Sequence, residues 1–546
     1  MANRYANLVG SNKIKDEYGK INAGFDAVQA EMDAKPDTSI AQVNDIEFDA
    51  DDTLTIEGGT GITVTTTPGE KKLRITATGT AAPGAHGIEH NHDGSDPIPE
   101  LVQVRDALAA HKADFVSVSA FGVDKNSSII QAALDYAESV GGRDILVPSG
   151  TYDITETLEI PSNTRLIGLG EVIFRRASGS INALLINKAD GLTGGYDANT
   201  NIQIENITFD GNSPTYSGDI TLVAFGHCNN IRIANCIFDN CPAWHELELN
   251  ACRNVYVVNC TFQNYSGATE MVQIDYAGSN SAFPWFGPYD NTACRDIYFD
   301  RCKFIGDNTL LRYAIGNHAF APGVTTNNVH ISNCYFQNIH RCIVLGDTSG
   351  VIVESNYFLN CQEAVSFRQK ENDVTDWKIR NNIFRAGYID NGQEERFIYG
   401  VDVNLTKNFS GVLIEGNTID NCYTHGIGLT VTKDLIIKNN VIKNCGRNGI
   451  YAYGGEGIII EGNVCYGNVR RGETGRSDRA DIVVGNNDYM ASKNVIVTGN
   501  NVGTYITGTN VDDVLVTNNV ISVSAANYGG SEAHHHNNLI AGAWTP

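Results

Sequence analysis

Residues 232–241 read RIANCIFDNC, and near copies follow: YVVNCTFQNY at 256–265, HISNCYFQNI at 330–339, LIEGNTIDNC at 413–422 and IIKNNVIKNC at 436–445. Taking the Cys or Asn in the middle of each phrase as reference, the column runs Ile207, Cys236, Cys260, Cys302, Cys334, Asn356, Asn382, Asn417, Asn440, Asn463, Asn500 and Asn519, twelve positions in all. Five residues earlier the residue is apolar each time, as in Ile231, Val255, Ile297, Val329 and Val412, and another apolar residue stands three before the reference. Two residues later comes Phe209, Phe238, Phe262, Phe304, Phe336, Phe358 or Phe384, then Ile419, Ile442, Cys465, Val502 and Ile521. Apolar residues two apart specify strands. The shortest spacings, 19 to 24 residues, hold one coil of three short strands, which buries its inner face only by stacking on its neighbours. The fold class that follows is all-β, a parallel β-solenoid with like residues about 4.8 Å apart, and twelve coils make a rod about 58 Å long. An Asn column in a corner tolerates left-handed backbone angles and bonds along the stack, and Cys fills the same space as a small hydrophobe. A second column, Asn240, Asn264, Asn338, Asn360, Asn421 and Asn444, follows four residues on.

Composition sets further bounds. The chain has 546 residues, 55 Gly and 13 Pro, which suits many tight corners. A net charge of -24 argues against nucleic acid, whose phosphates demand clustered Lys and Arg, and against a merely electrostatic grip on any polyanion. The first twenty residues, MANRYANLVGSNKIKDEYGK, hold no apolar run, so neither a signal peptide nor membrane insertion is expected. The 13 Cys, an odd number without a CxxC pair, read as buried thiols of a protein folded in reducing cytosol.

Five segments are expected. In 1–35, Ile14, Tyr18, Ile21, Phe25, Val28 and Met32 alternate spacings of four and three, the seam of a short coiled coil for trimerisation or virion attachment, or of one amphipathic helix on another protein. Residues 36–82 alternate as a small β-domain with GG and PG turns. Residues 83–113 form a polar linker and a short helix, the linker holding His86, His90 and His92, of which the last two lie on one side of an extended chain and suit a metal on a threefold axis. Residues 114–525 form the solenoid and 526–546 a C-terminal tail. At the solenoid's entrance a strand, a helix from about Ser127 to Val140 ended by Gly141 and Gly142, and three further strands cap the open edge.

That entrance, with Phe121, Gly122, Ala132, Ala133, Gly142, Val147, Pro148, Gly150, Tyr152 and Gly168, resembles the N-terminal cap of the pectate-lyase-like right-handed β-helix superfamily, in the form found in bacteriophage tailspikes and appendages. It departs from the common pattern at 123–125, where VDK replaces an Asp-rich GDG turn. The resemblance implies a right-handed parallel β-helix over roughly 114–525. It also implies a virion tail location, phage tail or baseplate partners and a homotrimer. Reaction type does not follow, since the same coil carries lyases, hydrolases, epimerases and plain binders.

Function must come from loops and outward positions. The largest ladder gap, 42 residues between Cys260 and Cys302, carries Phe283, Trp285, Phe286 and Tyr289, flat rings suited to sugar C–H faces or to pinning the loop onto the rod. Aligning Leu247 and Leu249 with Val272 and Ile274, and Val272 with Ile315, stacks Glu248 on Gln273, Asn250 on Asp275 and Asp275 on His318. Glu248 and Asp275 then lie about 8 Å apart on the diagonal, the separation of an inverting carboxylate pair. The expected catalytic residues are Glu248, Asp275, Glu270 and His318, with His245, Gln273, Trp285, Phe286, Tyr289 and Asp290 for substrate. HELELN, TEMVQID, YDNTAC and IGNH together look like a motif set of phage and Gram-positive surface proteins in this superfamily, which implies a Gram-positive host. The same residues as mere solvated surface are the bland alternative. No cofactor is required, and calcium held by Asp275, Glu248 and Asn250 is the competing chemistry. With Arg312 as the nearby cation, β-elimination is less attractive than hydrolysis, although Arg341, Arg368 and Arg396 on later coils keep it open. The expected function is a depolymerase for a host-surface polysaccharide or wall teichoic acid. A receptor-binding fibre without turnover and a polysaccharide lyase are the alternatives.

Overall fold

The computed structural model describes residues 115–279, 285–307, 313–386, 396–401, 407–471, 479–486, 491–509 and 511–522, short stretches from there to 544, and three strands of the front end. The expected coiled-coil seam, the His86–His92 linker, Phe283 and Arg312 lie outside the described residues. The chain divides into two units, Met1–Asp106 and Ala107–Pro546. In the first, Thr53–Thr55, Ile62–Thr66 and Leu73–Ala77 form an antiparallel three-stranded sheet with Ile62–Thr66 in the middle.

In the second unit every coil pairs in parallel with the next, and the register follows the repeat. Phe209 faces Phe238, Phe238 faces Phe262, and Ile231 faces Val255. The Phe column stacks face to face, with centroids 4.6 Å apart for Phe238 and Phe262, 4.8 Å for Phe262 and Phe304, and 4.9 Å for Phe304 and Phe336. Each ring is fully buried, and each such burial stabilises by about 1.5–3 kcal/mol. A helix, α1 (Ser127–Ser139), closes the N-terminal end. Its first turn is capped by the Asn126 side chain and its end is released by Gly141 at φ +82°.

The reference column changes chemistry partway along. In the first half the thiols of Cys236, Cys260, Cys302 and Cys334 reach back to Ile204, Ile233, Val257 and Phe299 carbonyls of the preceding coil, 3.4–3.8 Å away. From Asn356 an amide ladder takes over. Asn356 donates to Asn382, Asn382 to Asn417, Asn417 to Asn440 and Asn440 to Asn463, each Nδ2 to Oδ1 at 2.9–3.0 Å. The ladder runs on through Asn500 and Asn519 to Asn538. The joint is continuous, since the Cys334 backbone N–H donates to Asn356 Oδ1 at 2.8 Å. The coils therefore extend beyond 525, into the expected tail: Leu539 and Ile540 pair with Val520 and Ile521, then fold back against Ala543–Trp544. The second Asn column takes φ of +53° to +68°, the left-handed corner that Asn tolerates. All thirteen cysteines are free and buried. Among the described residues no helix is long and apolar enough to cross a membrane.

Candidate functional site

The site is built on three consecutive coils, from strands Leu247–Asn250, Glu270–Asp275 and Tyr313–Gly316. Their register pairs Leu247 with Val272, Glu248 with Gln273, Asn250 with Asp275 and Val272 with Ile315. Leu247, Leu249, Met271, Val272 and Ile274 enter the core. Two adjacent core residues, Met271 and Val272, break strict alternation, so Glu270 reaches the same patch as Gln273 and Asp275.

Acid and amide alternate on this face. Asn250 Nδ2 donates to Glu248 Oε1 at 2.8 Å along one strand, and Gln273 Nε2 donates to Asp275 Oδ2 at 2.6 Å along the next. Thr221 completes Glu248 through Oε2 at 3.0 Å. The backbone N–H groups of His318 and Ala319 donate to Asp275 Oδ1 at 3.2 and 3.3 Å. His318 Nδ1–H donates to Glu270 Oε1 at 2.7 Å, and its Nε2 lies 3.9 Å from Asp275 Oδ2. His245 Nδ1–H donates to the Glu270 carbonyl at 2.8 Å, and the two imidazoles stack 6.2 Å apart.

The charges divide sharply. Burial pushes the Glu248 carboxyl up to about 7, and Asp275 up to about 6. Glu270 is below the ordinary carboxylate range: burial opposes ionisation, but the His318 hydrogen bond and the charges of His245, His318 and Arg368 outweigh it. His318 is raised to about 9, first by its bond to Glu270 and then by the neighbouring carboxylates. His245 is lowered by burial. Solvated surface does not describe these groups. The side chain of Asp275 is 0 % exposed and that of Glu270 2 %, whereas that of His318 is 47 % exposed and forms the front of the site. The carboxylate oxygens of Glu248 and Asp275 accept from Asn250, Thr221, Gln273 and two backbone N–H groups, whereas Asn250 Oδ1 is buried without a hydrogen-bond partner. Among the described residues no group of three His, Cys, Asp or Glu is arranged for a metal.

The aromatic insertion is arranged differently from the sequence expectation. Phe286 is fully buried in a second apolar cluster with Ala183, Ala224, Ala251 and Ala277, its ring lying over Gly226, so it pins the loop and offers no face to a sugar. Asp290 is a clasp: its carboxylate accepts from the N–H groups of Gly195 at 2.8 Å and Thr292 at 3.0 Å. The buried His227 ring bridges the carbonyls of Gly195 and Pro288. Trp285 remains half-buried and meets Trp244 edge-on at 6.0 Å, while Tyr289 is exposed. Sequence reasoning passed over Thr221, Trp244, His227 and the 190–197 segment, because each acts across coils from outside the repeat. It also passed over Glu246, which is buried in the rod with both oxygens lacking a hydrogen bond and its carboxyl pushed well up by burial.

Residues 115–366 match a family model described as rhamnogalacturonase A/epimerase, pectate lyase-like, and residues 323–521 match one described as right handed beta helix region. The chain folds as a pectate-lyase-like right-handed β-helix. No curated protein matches this β-helix. Similar solved structures include the Streptococcus pneumoniae surface adhesin PfbA, at 15% identity over 78% of this chain and 98% of that one with TM-score 0.43. Tailspike protein 3 of bacteriophage CBA120 is similar at 14% identity over 80% and 62%, TM-score 0.47. The A-module of the Azotobacter vinelandii mannuronan C-5 epimerase AlgE4 is similar at 14% identity over 77% and 99%, TM-score 0.37.

Proposed function

We propose that this β-helix binds a host-surface glycopolymer, a polysaccharide or wall teichoic acid, along the face that carries His318 and cleaves it there by acid–base catalysis. The observation that carries the reading is one hydrogen-bonded unit in which Asp275 titrates near 6 and His318 near 9, so that at neutral pH a carboxylate and a proton donor stand side by side. A general acid must reach the bond it protonates, and the carboxylates are covered while His318 is not. His318 therefore takes the substrate-facing role expected of the Glu248 and Asp275 pair. It gives a proton to the leaving glycosidic or phosphodiester oxygen while water bonds to the carbon or phosphorus that this oxygen leaves, and the ionised Glu270 and Asp275 hold its ring and favour its reprotonation from solvent.

The setting that fits is a phage adsorption apparatus, with tail or baseplate proteins as partners. It is supported by the resemblance of the capping stretch to tailspikes and by the order of seam, β-domain, linker and solenoid. A receptor-binding fibre without turnover is favoured by one observation, the burial of all three carboxylates. Incubation with cell-wall polymer from a susceptible host separates the two: the enzyme produces new chain ends and the fibre produces none. Under cleavage, His318→Gln is expected to lower turnover about a hundred- to ten-thousandfold. Wild-type turnover in that variant would sink the assignment.

A further inference from the structure

Next to His318 the rod carries a group of cations, of which Arg368 acts on Glu270 through its charge alone. Tyr313 pairs across the coils with Glu270 on one side and Arg341 on the other, and Arg341 pairs with Glu363. The Tyr313 hydroxyl lies 3.4 Å from Arg341 Nη1 and 3.4 Å from Arg368 Nη2, and each guanidinium carbon is 5.7 Å from the tyrosine ring centroid. Arg341 is balanced by Glu363, whose Oε2 lies 2.8 Å from its Nε in an ion pair without hydrogen-bond geometry. Arg368 is different. Of its five N–H donors only one Nη2 contact, to Tyr313, is made among the described residues, and its Nε is buried without a hydrogen-bond partner. The hydroxyl accepts from both arginines and keeps its own proton to donate. A half-buried guanidinium with idle donors, beside a hydroxyl and a protonated imidazole, is a receptor for two or three oxygens of an anion. Arg341, Arg368 and His318 face Glu270, Asp275 and Glu363 here, so the charges of the patch balance in a chain of net charge -24, and the donors left over are those of Arg368. Composition spoke against a merely electrostatic grip on a polyanion; the open fork of Arg368 offers a hydrogen-bonded one.

We propose that Arg368 and Arg341, with the Tyr313 hydroxyl between them, form a subsite for an anionic substituent, a carboxylate or a phosphate, on the polymer handled at His318. The inference rests on the His318 reading for its neighbour but not on cleavage, because the subsite is a binding element. The fork of Arg368 takes two oxygens, Tyr313 donates to a third, and Arg341 supplies charge from the side.

Binding to the full chain is measured by calorimetry with three probes: hexagalacturonate, its methyl ester, and a glycerol phosphate hexamer. One or both anions are expected to bind about ten- to hundredfold tighter than the neutral ester, and added salt should erase the difference. Arg368→Gln should remove that preference, and Arg368→Lys, which keeps charge but not the fork, should restore only part of it. Preference for hexagalacturonate alone identifies a uronate carboxylate, and preference for the glycerol phosphate hexamer alone identifies a phosphodiester. Equal binding of ester and anions by the wild-type chain overturns the subsite, as does an Arg368→Gln protein with an unchanged melting midpoint and an unchanged preference. Charge-selective binding without new chain ends leaves the subsite standing and removes the cleavage reading; cleavage of a polymer without charge selectivity does the reverse.

Discussion

His318 stands between two carboxylates of opposite habit, and that is what its pH behaviour should report. Glu270 stays ionised and holds the imidazole protonated to about 9, while Asp275 ionises near 6. If Asp275 must be charged and His318 protonated, the rate on a cleaved polymer rises through about pH 6, holds, and falls through about pH 9. Asp275→Asn should lose the rising limb along with most of the turnover; an unchanged limb would show that another group sets it. Stability carries a second signature, of opposite sense to the usual paired carboxylate. Glu248 is raised from 4.5 to about 7, so its burial costs nothing below pH 4.5 and the cost grows as pH rises toward 7, to about 3 kcal/mol. Asp275 acts in the same direction, and His318, whose folded-state pKa is raised, loses its contribution as pH passes about 9. The melting midpoint should therefore fall between pH 5 and 8, and Glu248→Gln should gain on wild type at pH 8 but not at pH 5. A variant that tracks wild type at both values would refute the buried-acid account. These burials were not legible in the sequence. Alternation gave the outward side of Glu248 and Asp275, but what covers an outward residue comes from loops of other coils.

At the scale of elements, the repeat was read well because its cause is local: each phrase is one strand and one corner, and the Asn or Cys that closes it must fit a fixed space. Replacing Asn440 with Leu leaves the Asn417 backbone N–H and one of its two Nδ2 hydrogens, both of which donate to Asn440 Oδ1, without an acceptor inside the rod, the other Nδ2 hydrogen keeping the Ile379 carbonyl. The expected loss is about 2–5 kcal/mol, measured as the shift of the unfolding midpoint in urea. An effect no larger than that of an exposed substitution would mean the ladder is geometrically present and energetically idle. The insertion after Glu270–Asp275 was read less well, because aromatic content alone does not separate a sugar platform from a peg. Phe286 is the peg, and a Cβ at Gly226 would stand 2.2 Å from its ring. Gly226→Ala should unseat the loop, seen as faster proteolysis between Ser279 and Trp285 at unchanged global stability; equal rates would show the loop is held elsewhere.

For the whole molecule, we expect a homotrimer with rods side by side, from the N-terminal seam and the tailspike resemblance. Sedimentation at micromolar concentration should give three chains, and a particle of 59.1 kDa would end the idea. Length and path of the rod were legible because the solenoid is a sum of nearest-neighbour terms; its end was not, since the last coils at 533–540 carry weaker copies of the phrase. The two halves of the ladder also differ in direction. In the cysteine half the side chain donates backward, through a thiol to the coil already laid down, while backbone N–H groups such as those of Asn235, Asn259 and Cys334 donate forward. An asparagine coil bonds forward as well: its backbone N–H and Nδ2 both wait for the Oδ1 of a coil that comes later in the chain. During synthesis, which delivers the N-terminus first, the cysteine side chain of each coil meets its acceptor as the coil emerges from the ribosome. Any interrupted coil leaves backbone N–H groups idle at its edge, and a chain stopped in the asparagine half adds one idle Nδ2 hydrogen of the ladder inside the rod.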